Sequence, residues 1–441
     1  MNCTKLKVAW VCQFSNPEIR ENLTYSKNII DLVLRKLMHK PRHLDDYGQW
    51  ITNAIEEFKS IEDIEVHVIS LHSHINKKVI DFQKDGIFYH FFKSEDDPTA
   101  LGKFINKMTG KFVSSNYDKN REVINEILAR IKPDIIHLYG AEAPQIAAFA
   151  LDVDVEKTPM MVSLQTVMSD PQFKENYPIS DESYACRAGL EKKILMHTRY
   201  IASTIKSFRE IIWKHIKKDA IFINTELFLG EKPHLEKCEK SYDFVYFSLN
   251  INKTVDLAIE AFAISRHTHP DLKLLVVGDY DEDFKLQLDA RIAELGITDN
   301  VVITGKLQTH DDVIDEIKKA RFALLPLKID FISGTIREAI ACGLPVVTTI
   351  TAGTPTLNEK RESVLLSTIR DHEALAANMI RLIDSEDLSD KLIANGLETI
   401  DEMYGNKAMA LKLRDVYKAL YAKFTEGKEI PEEFYTLNPQ A

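Results

Sequence analysis

Glycine is scarce in this chain, 16 residues in 441, and no Pro/Gly/Ser-rich stretch interrupts it. A collagen-like, linker-dominated or low-complexity architecture is thereby excluded. No short-period repeat is present, which argues against a solenoid or propeller. Cysteine is equally sparse: Cys3, Cys12, Cys186, Cys238 and Cys342 are scattered, odd in number and without a C-x-x-C pair. This pattern favours reduced thiols in a cytosolic protein over disulfides or a zinc site. Basic charge is in deficit, with a formal net charge of −11, which argues against nucleic acid as the main partner. Long apolar runs are missing too, none approaching the ~20 residues of a membrane span. The run from Lys5 to Cys12 is too short for a signal peptide and reads as a buried first strand.

What is present is an ordinary globular composition, 45% apolar and 28% charged, on a chain too long for one core. Short β-branched runs alternate with amphipathic helical patterns, the grammar of a parallel α/β sheet. Strands are expected over 6–12, 64–70, 134–138, 160–164 and 200–202 in the first half. In the second half they are expected over 244–247, 272–277, 301–303, 322–325, 346–349 and 364–366. Apolar residues recur at three-to-four spacing over 254–266, 285–295 and 311–319, which predicts helices there. The polar stretch 230–241 has no apolar periodicity and reads as a linker. It divides the chain into two Rossmann-like units, 1–240 and 241–407, with a cleft between them as the default ligand site.

The most informative segment runs from Leu325 to Thr349. It reads as a strand, a loop, a short helix from about Thr335, a stop at Gly343, and Pro345 opening the next strand. Ser333, Gly334 and Thr335 then stand at a helix N-terminus in a strand-end crevice, where free amides and the helix dipole suit a phosphate. Asp330 and Glu338 flank that position, and ionised carboxylates suit sugar hydroxyls.

This stretch resembles the E-x7-E signature of the retaining glycosyltransferases of family four, or group one. Their usual form is E-G-F-G-x-x-x-x-E-A-x-A-x-G-x-P-V; here Asp330-Phe-Ile-Ser-Gly-Thr-Ile-Arg-Glu338 is followed by Ala-Ile-Ala-Cys-Gly343-Leu-Pro345-Val. The resemblance implies that Glu338 binds the nucleotide ribose and that Asp330 contacts the transferred sugar. Phe331, Ile332, Ser333, Gly334 and Thr335 would form the loop that holds sugar and diphosphate. Phe247 to Phe262 resembles the family's G-R-L-x-x-x-K-G segment and places Lys253 on the lysine that neutralises the leaving diphosphate. Gly278 falls on the V-x-G-D turn, and Gly305, Lys306 and Leu307 fall on the base-binding turn. In the first half, Pro133 to Gly140 resembles the P-D-x-x-H-x-x-G strand that faces the acceptor, with Tyr139 and Glu142 nearest its end.

The fold so implied is GT-B: α/β, two facing Rossmann-like domains with a central cleft. A last helix, about 408–423, would cross back onto the first domain. The implied reaction moves a hexose from a nucleoside diphosphate sugar, most simply a UDP-sugar, to a hydroxyl of a glycan, lipid-linked or other acceptor. Configuration would be retained, no metal or other cofactor would be needed, and the location would be cytoplasmic. Three departures stand out: Asp330 replaces the usual first Glu, Ser248 replaces an arginine, and Gln13-Phe-Ser-Asn-Pro17 replaces a Gly-rich loop.

Other readings stay open. Thr335-x-x-Glu338 is also a capping-box pattern, and Lys253 could simply begin an exposed helix. His137 reads as a satisfied core histidine. Asp279-Tyr-Asp281-Glu-Asp283 lacks a calcium loop's glycine and final glutamate, and reads as an acidic turn before a helix. His72-x-His74 and His267-x-His269 lack further ligands and read as surface residues. The cluster Lys36, His39, Lys40, Arg42 and His43 reads as a solvated helix end, with peripheral contact to an anionic membrane as the alternative. A catalytically inert partner subunit or sugar-binding scaffold, and a sugar-nucleotide epimerase on the same fold, are the rival functions.

Overall fold

Two mainly parallel sheets organise the chain in the computed structural model, which describes residues 5–25, 47–94, 117–176, 179–225, 228, 238–250, 254–280, 282–329 and 334–440. The first contains β1 (Leu6–Cys12), β2 (Ile64–Leu71), β3 (Val79–Lys84), β4 (Ile87–Phe92), β5 (Ile135–Tyr139), β6 (Met160–Ser163), β7 (Tyr200–Ala202), β8 (Ile221–Ile223) and β15 (Tyr435–Thr436). Its spatial order is β15-β8-β7-β6-β5-β1-β2-β4-β3. Only the edges are antiparallel, β3 against β4 and β15 against β8. The second sheet contains β9 (Tyr242–Asn250), β10 (Leu274–Asp279), β11 (Val301–Gly305), β12 (Ala320–Leu325), β13 (Val346–Thr349) and β14 (Leu365–Ser367). Its order is β11-β10-β9-β12-β13-β14, parallel throughout. Counted from its first strand this is the doubly wound 3-2-1-4-5-6 arrangement.

The continuous apolar strands follow from burial on both faces. Val8, Trp10 and Cys12 of β1 face one core cluster while Ala9 and Val11 face another. In the second sheet Phe244 and Tyr246 face one side of β9, and Val245 and Phe247 the other. Single-sided sheets would alternate with polar residues; these do not.

Most expected strands lie within one to three residues of those observed. The hairpin β3–β4 and the short β8 and β15 are additions. Asp85 (φ 49°) and Gly86 (φ 83°) turn the hairpin in left-handed backbone, as a two-residue Asp-Gly connection does. One reading is corrected: His72 is buried at the end of β2, its Nδ1 accepting the His74 amide at 3.3 Å, so it is no surface residue.

The chain returns to the first domain after completing the second. The helix Asn406–Glu426 inserts Met409, Leu413, Val416, Tyr417 and Leu420 into the core that holds Trp10 and Phe58. The Tyr417 hydroxyl bonds His137 Nδ1 at 2.6 Å, while Ser163 Oγ lies 2.7 Å from Nε2. Both nitrogens of His137 are thus satisfied, and burial lowers its pKa to about 3. The two C-terminal sheet edges meet directly: Ser207 Oγ, just past β7, donates to Ala352 O, just past β13, at 2.5 Å. Among the described residues no helix is long and apolar enough to cross a membrane.

Candidate active site

In an open α/β sheet a ligand crevice forms where neighbouring strands send their connections to opposite faces. The first sheet has that switch point between β1 and β5, the second between β9 and β12. The connections that follow these four strands are therefore the candidate site.

On the second domain, Lys253 and Asp330, Phe331, Ile332 and Ser333 lie outside the described residues. The segments carrying them leave β9 and β12, the two strands of the switch point. Beyond the second gap, Gly334 opens the helix Gly334–Ala341, so Thr335 is its second residue and Glu338 its fifth, one turn in. The helix starts one residue earlier than the sequence suggests. Its end is a Schellman motif: the Gly343 amide bonds Ile340 O at 2.9 Å and the Leu344 amide bonds Ala339 O at 3.0 Å. Gly343 sits at φ 70°, the left-handed backbone this closure needs.

Glu338 faces His310 across 3.5 Å with its side chain 30% exposed. Burial raises its pKa, opposed by the charges of His310 and Arg337. His310 begins the helix His310–Ile317, which Thr309 and Asp312 close with a reciprocal capping box. The turns after β10 and β11 are glycine-dependent. Gly278 (φ 146°) coincides with a register shift at the end of β10, and Gly305 (φ 74°) lies under the Tyr280 ring. A Cβ on Gly305 would sit 3.5 Å from that ring. Lys306 Nζ lies 4.0 Å from Asp279 Oδ2, and Leu307 packs against the core beneath.

At Ser248, which stands where the resembled motif has arginine, the described residues present neutral hydroxyl groups. The Tyr246 hydroxyl hydrogen-bonds Thr254 Oγ1 at 2.9 Å beside Ser248, and burial raises its pKa to about 12. A cation stands across the switch point: Lys328, just past β12, binds both Asp256 oxygens at 2.8 and 3.1 Å.

On the first domain the connections after β1 and β5 open onto a cavity of about 340 Å³, lined by Gln13, Tyr117, Glu142, Gln145, Ser183 and Arg187 among others. Tyr139 and Glu142, both expected on the acceptor side, part company here. Tyr139 alternates with Ile135 and His137 on the core face of β5, stacks on His137 at 3.9 Å and is buried away from the cavity. Glu142 lies in the cavity wall. Its Oε2 is buried without a hydrogen-bond partner, and burial pushes its pKa up to about 7. Gly140, at φ 90°, permits this fold-back, since a Cβ there would lie 2.6 Å from Glu142 Oε1. Arg187 Nε donates to Glu142 O at 3.0 Å. Behind it Glu191 is fully buried, both its oxygens 3.0 Å from the Met168 amide. Burial raises Glu191 to about 8, and the charge of Glu142 adds to that rise.

Sequence reasoning did not single out His310, Lys328, Arg187 or Glu191. His310 carried one local signal, the Thr309-x-x-Asp312 capping pattern. Arg187 and Glu191 carried none, because only the folded chain brings the helix Asp181–His197 beside the end of β5.

Comparison with known proteins bears on the second domain's family and on the fold. Residues 231–399 match the family described as glycosyl transferases group 1. N-acetyl-alpha-D-glucosaminyl L-malate synthase of Bacillus anthracis is 23% identical over 310 residues, 69% of this chain and 79% of that protein. Mannosylfructose-phosphate synthase of Agrobacterium fabrum is 27% identical over 171 residues, 37% of each chain. Among solved structures, sucrose-phosphate synthase from Thermosynechococcus elongatus superposes with a TM-score of 0.66 at 15% identity, covering 95% of this chain and 100% of that one. An E. coli trehalose-6-phosphate structure bound with UDP-2-fluoro glucose gives 0.65 at 11% identity, covering 93% and 99%. The second domain thus matches the group 1 glycosyl transferases, and the chain as a whole has the GT-B fold of these solved structures.

Proposed function

We propose that the protein transfers a hexose from a nucleoside diphosphate sugar, a UDP-sugar in the simplest case, to an acceptor hydroxyl with retention of configuration and without a metal. The observation that supports this reading is the second-domain switch point between β9 and β12, with the helix Gly334–Ala341, and Glu338 one turn into it, following β12. Glu338 would accept hydrogen bonds from the ribose, and Asp330 from the transferred sugar. As the sugar–oxygen bond breaks, negative charge grows on the diphosphate while the sugar becomes oxocarbenium-like. Lys253 and the amides opening Gly334–Ala341 would stabilise that charge. Lys328, released from Asp256, is a second cation for the same task. Support for the donor class comes from the relatives: one is named as an N-acetylglucosaminyl-malate synthase, and one structural neighbour carries UDP-2-fluoro glucose.

Kinetics of three variants test it. Glu338→Gln should raise the donor KM, whereas Asp330→Asn should lower kcat more than nucleotide affinity. Each loss is expected at about ten- to a hundredfold, the weight of one charge-assisted hydrogen bond. Lys253→Ala should depress kcat further. Near-wild-type kinetics in both carboxylate variants would remove these residues from the donor site, whereas a folded wild type with no turnover of any nucleoside diphosphate sugar would favour the inert-scaffold reading, which draws on the hydroxyl cluster at Ser248.

A further inference from the structure

Glu142 Oε2 is buried, lacks a donor and belongs to a side chain that lines the first-domain cavity. Burying a carboxylate oxygen this way is costly unless a partner arrives, since an unmet acceptor forfeits its hydration. The surroundings hold the group in place rather than letting it turn to water. Gly140 is in left-handed backbone with the carboxylate folded over it, and Gln165 Nε2 donates to Tyr139 O at 3.2 Å alongside. The cavity also presents Arg187, whose bond to Glu142 O uses one of its five N–H groups.

The charge balance narrows what can bind. Among the described lining residues Arg187 is the cation, and Glu142 opposes it once ionised. Entry of a phosphate or carboxylate would place a second anion beside the ionised Glu142, and among the described lining residues Arg187 alone is there to offset it. A neutral hydroxyl group meets both needs, because it donates to a carboxylate and accepts from a guanidinium. Gln13, Gln145 and Ser183 add neutral polar groups around the same space.

Resting on the glycosyltransferase reading above, we propose that this cavity binds a neutral, hydroxyl-rich acceptor, a glycosyl or polyol unit. One hydroxyl donates to Glu142 and a neighbouring oxygen accepts from Arg187. The ionised carboxylate is the form that accepts the bond, so acceptor affinity increases as pH rises through about 7, with Arg187 and Glu191 as the charged groups facing Glu142.

Saturation-transfer NMR on the intact chain in the presence of UDP tests this. The probes are neutral methyl glycosides of glucose, galactose, mannose and N-acetylglucosamine, each with its matching 6-phosphate. At least one neutral glycoside is expected to bind saturably, with affinity weakened about tenfold or more in Glu142→Ala. Its 6-phosphate should bind no tighter. Glu142→Gln, which keeps the volume and an acceptor oxygen, should bind the neutral sugar with no dependence on pH between about 6 and 8.5, whereas the wild type tightens. Phosphates binding about tenfold tighter than their neutral partners, or no Glu142-dependent binding of any neutral sugar, would overturn the proposal. UDP titration of the same proteins separates the two ideas: failure of the wild type to bind UDP contradicts the transferase reading, while the sugar arm is read without turnover.

Discussion

Burial of Glu142 and Glu191 under one cavity makes the protein's stability depend on pH in a direction opposite to that of paired surface carboxylates. Both groups titrate higher in the folded chain than their ordinary value of 4.5, at about 7 and about 8. Between about pH 4.5 and 8 the folded state therefore holds protons that the unfolded chain has released, and stability falls as pH rises through that window. Glu191→Gln keeps an oxygen for the Met168 amide and cannot ionise. Its melting temperature should fall less than the wild type's between about pH 6 and 9, with a gap of roughly 2–4 kcal/mol at the alkaline end. Parallel pH profiles would show that Glu191 stays ionised in its buried site. Residue by residue, legibility follows how local the signal is. Glu338 in one short helix and Gly343 just past its end were readable from their spacing. Glu142 was readable only as a strand-end residue, and Arg187, 45 positions away in sequence, was not readable at all.

Among the elements, the helix Gly334–Ala341 matters most, because its first turn and Glu338 belong to the proposed donor site while its far end is locked by Gly343. Gly343→Ala forces a Cβ into left-handed backbone, at a cost of about 1–2 kcal/mol. Chemical denaturation should register that loss. Donor KM should move far less than in Glu338→Gln, since the Schellman end lies two turns from the crevice; an equal rise in KM would mean the helix is positioned from its C-terminus. The parallel strands were legible because two-sided burial makes them short apolar runs. The hairpin β3–β4 was not, although Asp85-Gly86 is a strong turn signal, because alternation in Val79–Lys84 is blurred by partial exposure at the sheet edge. Strands β8 and β15, three and two residues long, owe their pairing to the returning chain and have no local signature.

For the whole molecule, the return of Asn406–Glu426 joins the two domains by more than the 224–241 connection. Tyr417 is wholly buried and hydrogen-bonded to His137, so Tyr417→Phe leaves a buried ring nitrogen without its partner. The expected loss is about 1–3 kcal/mol, read as a lowered unfolding midpoint of the first domain; an unchanged midpoint would mean that the hydroxyl contributes nothing there. Activity should survive chelation, because the proposed charge stabilisation uses Lys253 and helix amides. Complete loss in EDTA, restored by manganese or magnesium, would overturn that mechanism.

The central claim is that the second domain binds a nucleoside diphosphate sugar through the switch-point crevice. Calorimetric titration of UDP into the wild-type chain and into Glu338→Ala tests it most directly, with thermal unfolding to confirm that both are folded. Saturable binding to the wild type is predicted, weakened about tenfold or more in the variant. A ligand at a hundred times its Kd should stabilise the wild type by ~2.7 kcal/mol. A folded wild-type chain that gives neither heat nor a thermal shift with UDP, or a Glu338→Ala variant that binds it with undiminished affinity, would contradict the account.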